Sequence, residues 1–156
     1  LSPNIVYHFK VFEYNGTGFA DAEYLTSNGT DNPNSRSTLA SVPSNQPTSL
    51  LFSNPLNDGT GYTLTWTASA GGADGYIVVR RQGASPNGPA PADGTGYIVG
   101  QDIDPGADVE IVEFVGAATT FNLSGLLANT NYFFDVYAFN GSGAAVNYLT
   151  GTGPLE

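Results

Sequence analysis

Enzyme chemistry needs a nucleophile, a proton-transfer pair or a metal set, and this sequence offers few candidates. His8 is the sole histidine and cysteine is absent, so a Ser-His-Asp triad, a thiolate nucleophile and a His-based zinc site all lack their parts. Strand alternation sets His8 beside Lys10, opposite Tyr7, Phe9 and Val11, which reads as an ordinary surface or interface histidine. Carboxylates are plentiful, with 14 Asp and Glu, but no cleft pattern marks two of them as a glycosidase pair. The densest acidic run is Asp102, Asp104, Asp108, Glu110 and Glu113. Hard Ca²⁺ takes several oxygens from one loop, so Asp102, Asp104 and Asp108 are the candidate calcium ligands. The run has no EF-hand pattern, and a solvated acidic loop explains it as well. The pentapeptide Asp-Gly-Thr-Gly-Tyr occurs at 58–62 and 93–97. It resembles a ligand loop, yet Asp-Gly also starts a turn and Tyr begins the next strand, and no phosphate-binding lysine follows.

The elements that must position these residues are organised around a repeat. Residues 126–143, LLANTNYFFDVYAFNGSG, alternate apolar and other side chains and end in an Asn-Gly turn. Residues 1–18, LSPNIVYHFKVFEYNGTG, carry the same pattern 125 positions earlier, with Leu1/Leu126, Tyr7/Tyr132, Phe9/Phe134, Val11/Val136 and Gly16/Gly141 matched. The match resumes at 24–26 against 148–150, so the chain reads as the terminal hairpin of an incomplete upstream repeat (1–26), an extended linker (27–46) and one complete module (47–151). Between them the spacing predicts strands at 6–14, 23–26, 48–53, 62–67, 75–81, 97–99, 109–115, 119–123 and 146–150 as well as in the repeat itself. The hairpin's inward face lacks the rest of its sandwich, so it should seek a partner on the complete module, within the chain or swapped between two chains.

Composition agrees with an all-β chain rich in turns: 20 Gly, 10 Pro and no long helical period. A net charge of −10 with four Lys and Arg repels a phosphate backbone and argues against nucleic acid. No apolar run has the length of a membrane span. Absent cysteine rules out a disulfide framework and leaves secretion open. Absent Met implies a processed or cleaved fragment, and Leu155-Glu156 has the look of a cloning remnant.

Trp66 in the second strand of the module, Tyr76 near the start of the third, and Leu126, Thr130, Tyr132, Phe134, Val136 and Ala138 in the repeated stretch together resemble the fibronectin type III family, over residues 47–151. The resemblance implies an immunoglobulin-like β-sandwich of two antiparallel sheets, with Trp66, Tyr76 and Leu126 structural. It also implies that Tyr132, and Tyr7 in the partial copy, form a tyrosine corner whose hydroxyl caps upstream backbone. The repeat offset of 125 exceeds the family's usual length of about 100 residues, which places the excess in an insertion at 83–116 and in the linker. Integrin-binding members carry Arg-Gly-Asp after the motif strand, and neither copy has it.

If Tyr132, Phe134 and Val136 face inward, then Phe133, Tyr137 and Phe139 face outward with Ile77 and Val79 of the neighbouring strand. This apolar outer face is either a binding platform, for instance for polysaccharide, or the seat of the insertion. The resemblance implies a non-catalytic module: a spacer, adhesion or carbohydrate-associated unit of a larger secreted or cell-surface bacterial protein. The alternatives are a carbohydrate-binding module using the outward aromatics and an accessory fragment of an extracellular hydrolase. Neighbouring domains, polysaccharide or protein are the expected partners, and calcium the one cofactor to consider.

Overall fold

Alternation with period two builds two facing sheets from residues 48 to 148. The computed structural model describes residues 1–17, 21–53, 59–106 and 109–156. One sheet has β5 (Thr48–Ser53), β6 (Tyr62–Thr67) and β9 (Thr120–Leu123) in the order β5-β6-β9. The other has β7 (Gly75–Gln82), β8 (Glu110–Gly116), β10 (Tyr132–Asn140) and β11 (Asn147–Tyr148) in the order β11-β10-β7-β8. All pairings within both sheets are antiparallel. The fold is therefore the all-β, immunoglobulin-like sandwich expected from the sequence. Among the described residues, no helix is long and apolar enough to cross a membrane.

Between the sheets lie Leu64, Trp66, Tyr76, Val78, Phe134, Val136 and Ala138, all buried. The Trp66 ring meets Tyr76 and Phe114 edge-on at centroid distances of 5.6 and 5.7 Å, a preferred geometry for aromatic pairs. The Tyr76 hydroxyl accepts the Ser69 N–H at 2.9 Å, which fixes the turn between β6 and β7. Gly75 sits opposite Phe139 in the β7–β10 register, and a Cβ there would lie 2.5 Å from the Phe139 ring. The close approach of ring to backbone requires glycine.

The N-terminal segment has its own two-stranded pairs. β1 (Val6–Phe9) pairs with β4 (Asn34–Ser37), and β2 (Tyr14–Asn15) pairs with β3 (Glu23–Tyr24). Two readings of the sequence change here. The strand expected at 6–14 is divided into β1 and β2, and part of the segment read as an extended linker is the strand β4. Asn and Ser side chains gave β4 no apolar alternation to reveal it, because its backbone pairs while both of its faces are largely solvated. A third change is that 97–99 forms no strand: the contact with β8 comes slightly later, through Gly100 N–H to Val112 O at 2.8 Å and Ile103 N–H to Glu110 O at 2.9 Å.

The sequence repeat is also a repeat of hydrogen bonds. The Tyr7 hydroxyl accepts the Ser2 N–H at 2.8 Å, and the Tyr132 hydroxyl accepts the Leu127 N–H at 3.0 Å, each five residues upstream. The corner also needs a left-handed residue, supplied by Asn4 at φ 53° and Asn129 at φ 54°. The pairs Tyr14–Tyr24 and Asn15–Glu23 correspond to Phe139–Tyr148 and Asn140–Asn147. Leu25 N–H donates to Glu13 O at 2.8 Å as Leu149 N–H does to Ala138 O at 2.9 Å.

Candidate functional site

The outward half of β10 was the leading candidate surface, and the structure covers most of it. Ile77, Val79 and Tyr137 are buried, in a second cluster with Val112, Val146 and Tyr148. Tyr97 and Ile103, from the insertion, and Phe139 pack against that cluster. An open platform of Phe133, Tyr137, Phe139, Ile77 and Val79 is thus not what the chain presents. The physical reason is the hydrophobic effect: such a face in water is unfavourable, and the insertion brings the apolar side chains that cover it. Phe133, near the start of the strand, is 38% exposed and shares a cavity with Ser85 and Pro86 of the insertion.

The acidic run explains how the insertion is held. Glu110 is 1% exposed, and its Oε1 accepts the N–H groups of Asn87 and Gly88 at 2.8 and 2.9 Å. Asp102 Oδ1 accepts from the N–H groups of Asp104 and Glu110, both at 3.1 Å. Asp93, from the second Asp-Gly-Thr-Gly-Tyr copy, accepts the Tyr148 N–H at 2.8 Å. The Tyr148 hydroxyl donates to Thr95 O at 3.1 Å, and burial pushes its pKa up to about 12. The Tyr97 hydroxyl accepts the Ala92 N–H at 3.0 Å, with the five-residue reach of the two tyrosine corners. Here carboxylates cap backbone N–H groups of an irregular loop whose own ladder cannot use them. Among the described residues no three His, Cys, Asp or Glu side chains are placed to hold a metal ion. Asp108 lies outside the described residues, as does Asp58 of the first pentapeptide copy.

One residue of the outward face was legible as outward, in place of Lys10 of the first copy, but not as part of a site. Asp135 sits between Phe133 and Tyr137, opposite Val79, and is 3% exposed. Its Oδ2 accepts the Tyr137 hydroxyl at 3.2 Å, while Oδ1 is buried with no hydrogen-bond partner among the described residues. Burial raises its pKa to about 6, the Tyr137 hydrogen bond opposes this, and the charges of Glu156 and Glu110 add to the rise. Burial first, then the Asp135 charge, raises the Tyr137 pKa as well. The signal was present in the alternation, as a lone acid within an apolar face.

Beside Asp135 the sandwich has an open mouth. Phe52 of β5 and Tyr132, Phe133 and Phe134 of β10 line both a groove of about 460 Å³ and a smaller cavity of about 140 Å³. Tyr62 and Leu126 complete the apolar side of the groove, and Asp135 and Glu156 are on the wall of the cavity. The Tyr132 ring is capped by Arg80, whose guanidinium carbon lies 4.9 Å from the ring centre. Arg80 Nε also pairs with Glu113 Oε1 at 2.5 Å, so this cation is already engaged. The mouth is apolar with an acidic end. Among the described residues it brings together no nucleophile and base.

A fibronectin type III domain model matches residues 45–148. Among solved structures, a fibronectin type III domain of human collagen XX is 21% identical, with 73% of this chain and 98% of that chain covered and a TM-score of 0.39. No curated protein matches the chain at a significant level.

Proposed function

We propose, for a chain that belongs to the fibronectin type III family, the role of a spacer and interaction module within a larger secreted or cell-surface bacterial protein. Domains of this family are generally non-catalytic. The observation that supports the reading is the N-terminal hairpin: the β2–β3 pairs and the Leu25 N–H to Glu13 O bond repeat the β10–β11 pairs and the Leu149 N–H to Ala138 O bond, as modules in series would. In such a series each sandwich is locked by its own tyrosine corner, and function lies in spacing and in the surfaces that vary between copies. Antibodies raised against residues 45–148 should label intact cells of the source organism. Labelling only after lysis would overturn the assignment.

Carbohydrate association is the second reading, and it now rests on Phe133 with the aromatic mouth beside it. Retention on insoluble polysaccharide that is lost in Phe133→Ala would support it. Unretained wild-type protein would end it. A role as the accessory part of an extracellular hydrolase is compatible with the same fold and has no separate observation in its favour.

A further inference from the structure

The sequence has Asn-Gly pairs at 15–16, 28–29, 87–88 and 140–141. In such a pair the glycine nitrogen can attack the asparagine side-chain carbonyl, because glycine has no Cβ to obstruct the approach. The fold restrains all but one of them. At Asn140, Oδ1 accepts the Asp74 N–H at 3.0 Å and Nδ2 donates to Ser41 O at 2.8 Å, while the Gly141 N–H donates to Asp74 Oδ2 at 2.8 Å, so both reacting groups are held. At Asn87, Oδ1 accepts from the Arg81 guanidinium, and the Gly88 N–H donates to Glu110 Oε1 at 2.9 Å. Asn15 is in β2 opposite Glu23, and Gly16 lies against Asp21, where a Cβ would come within 2.5 Å of the Asp21 carbonyl oxygen. Asn28 and Gly29 are exposed and outside any strand. Neither the Asn28 side chain nor the Gly29 N–H has a hydrogen-bond partner among the described residues, and a Cβ at Gly29 would meet nothing within 4 Å. Of these pairs, this one alone is left open to react.

We propose that Asn28 is a site of spontaneous covalent modification, converted without an enzyme to aspartate and isoaspartate. The Gly29 nitrogen bonds to Asn28 Cγ, the Cγ–Nδ2 bond breaks, and ammonia leaves with the Gly29 proton. The product is a five-membered succinimide, which water opens at either carbonyl. Opening at Cγ leaves aspartate, and opening at the backbone carbonyl leaves isoaspartate, whose main chain runs through Cγ. Water is the one co-reactant, and solvent supplies it to an exposed residue. Both products add a negative charge, and isoaspartate also adds one carbon to the main chain between the β2–β3 hairpin and β4. The turn it lengthens is tied at two points: Gly29 O accepts the Asn32 N–H at 3.2 Å, and the Asn32 side chain exchanges hydrogen bonds with the Val11 backbone at 3.0 and 2.6 Å. Modification therefore pulls on the contact that joins this turn to the hairpin. The repeat sharpens the assignment. Tyr24 matches Tyr148, so Asn28 and Gly29 match Thr152 and Gly153. Thr152 is exposed in the complete module, so this place in the fold is open beside a whole sandwich as well. Threonine has no amide to lose, and the reactive pair belongs to the first copy alone. The inference does not rest on the spacer reading.

Incubation of the full chain in mildly alkaline buffer, followed by peptide mapping with mass spectrometry, tests this. The peptide that holds Asn28 should gain about 1 Da ahead of those that hold Asn15, Asn87 and Asn140. Part of the product should resist an endoproteinase that cleaves before aspartate, which marks it as isoaspartate. Asn28→Gln should abolish the early product, and Gly29→Ala should slow it severalfold, because the added Cβ hinders the attack. In strong denaturant the preference should vanish and all the Asn-Gly pairs should react at similar rates, since only the fold distinguishes them. An Asn28 peptide that keeps its mass in the folded chain while the denatured chain reacts would overturn the inference. Equal reaction at every pair in the folded chain would overturn it too, as would Asn15, Asn87 or Asn140 reacting first. Each peptide reports its own asparagine in the wild-type protein, so the result does not depend on how a variant folds. Failure here leaves the cell-surface test of the spacer role untouched.

Discussion

Asp135 makes the stability of this protein depend on pH in a direction opposite to that of a salt-bridged acid. Its pKa is 3.8 in the ordinary state and about 6 when folded, with burial the largest cause. Below about pH 4 the side chain is protonated whether the chain is folded or not, and it imposes no penalty. Between about 4 and 6 the unfolded chain loses this proton while the folded one keeps it. The folded state then binds more protons, so stability falls as pH rises, and the loss is complete once pH has passed the folded pKa. A shift of about two units corresponds to at most about 3 kcal/mol. The residue lies on the wall of a cavity at the sandwich mouth, and solvent screening there reduces the effect to about 1–1.5 kcal/mol. The groups that face it are the Tyr137 hydroxyl, which opposes the rise, and the carboxylates of Glu156 and Glu110, which strengthen it. Asp135→Asn removes the titration while preserving shape. The other carboxylates titrate in both proteins, so the difference between their denaturation curves isolates Asp135. Urea denaturation at pH 4, 5, 6, 7 and 8 should show the mutant gaining on wild type by about 1–1.5 kcal/mol between the ends of the series. A constant difference across the series would refute the reasoning, because it would place the folded pKa of Asp135 at its unfolded value.

The two tyrosine corners should respond unequally. Tyr132→Phe, in a ring packed against the core, should cost about 1 kcal/mol in denaturant unfolding, and Tyr7→Phe less than about 0.5 kcal/mol, because its hairpin is largely exposed. Glu110→Ala leaves the Asn87 and Gly88 N–H groups without their acceptor, so about 2–3 kcal/mol should be lost, and amide exchange should accelerate first over residues 85–94. Gly88→Ala should damage the same region by another route, since a Cβ would come within 2.7 Å of Asp104 Oδ2 and 2.9 Å of Glu110 Oε2, and a lowered melting temperature would record it. Calcium at about 5 mM should leave the melting temperature unchanged, because Asp102 Oδ1 is already engaged by two N–H groups; a rise of several degrees would put an ion among Asp102, Asp104 and Asp108.

What the sequence disclosed follows from which interactions leave a periodic trace. The strands of the sandwich carry one, because every second residue of β6, β7 and β10 enters the core. The tyrosine corner was legible through the family resemblance, which implied it at Tyr7 and Tyr132, and both hydroxyls accept an N–H five residues upstream. β4 was not legible: Asn-Ser-Arg-Ser pairs through its backbone alone, and backbone pairing writes nothing into side-chain pattern. The outward face was half legible. Alternation correctly set Tyr137, Ile77 and Val79 on it, but the choice between open platform and covered seat depended on where Tyr97 and Ile103 fell, in a distant loop without periodicity. The carboxylates gave the least away, because a side chain that caps N–H groups and one that coordinates a cation have the same chemistry and the same preference for loops.

The same distinction bears on where function can differ between repeats. At the inward positions both copies keep Tyr, Phe and Val, since those side chains fill the sandwich. At the outward positions Phe133 and Asp135 stand where the first copy has His8 and Lys10. An acid stands where the first copy has a base, and in the second copy that acid is buried. An ionised lysine at 135 would face the charges of Glu110 and Glu156, and a neutral one would leave an amine where Tyr137 now donates. Asp135→Lys should therefore remain folded only by turning its ammonium toward Glu156 and the cavity mouth, which would open the apolar seat around Tyr137. Increased fluorescence of a hydrophobic dye, with the far-ultraviolet spectrum unchanged, would report that opening. An unchanged dye signal would show that the seat tolerates either charge.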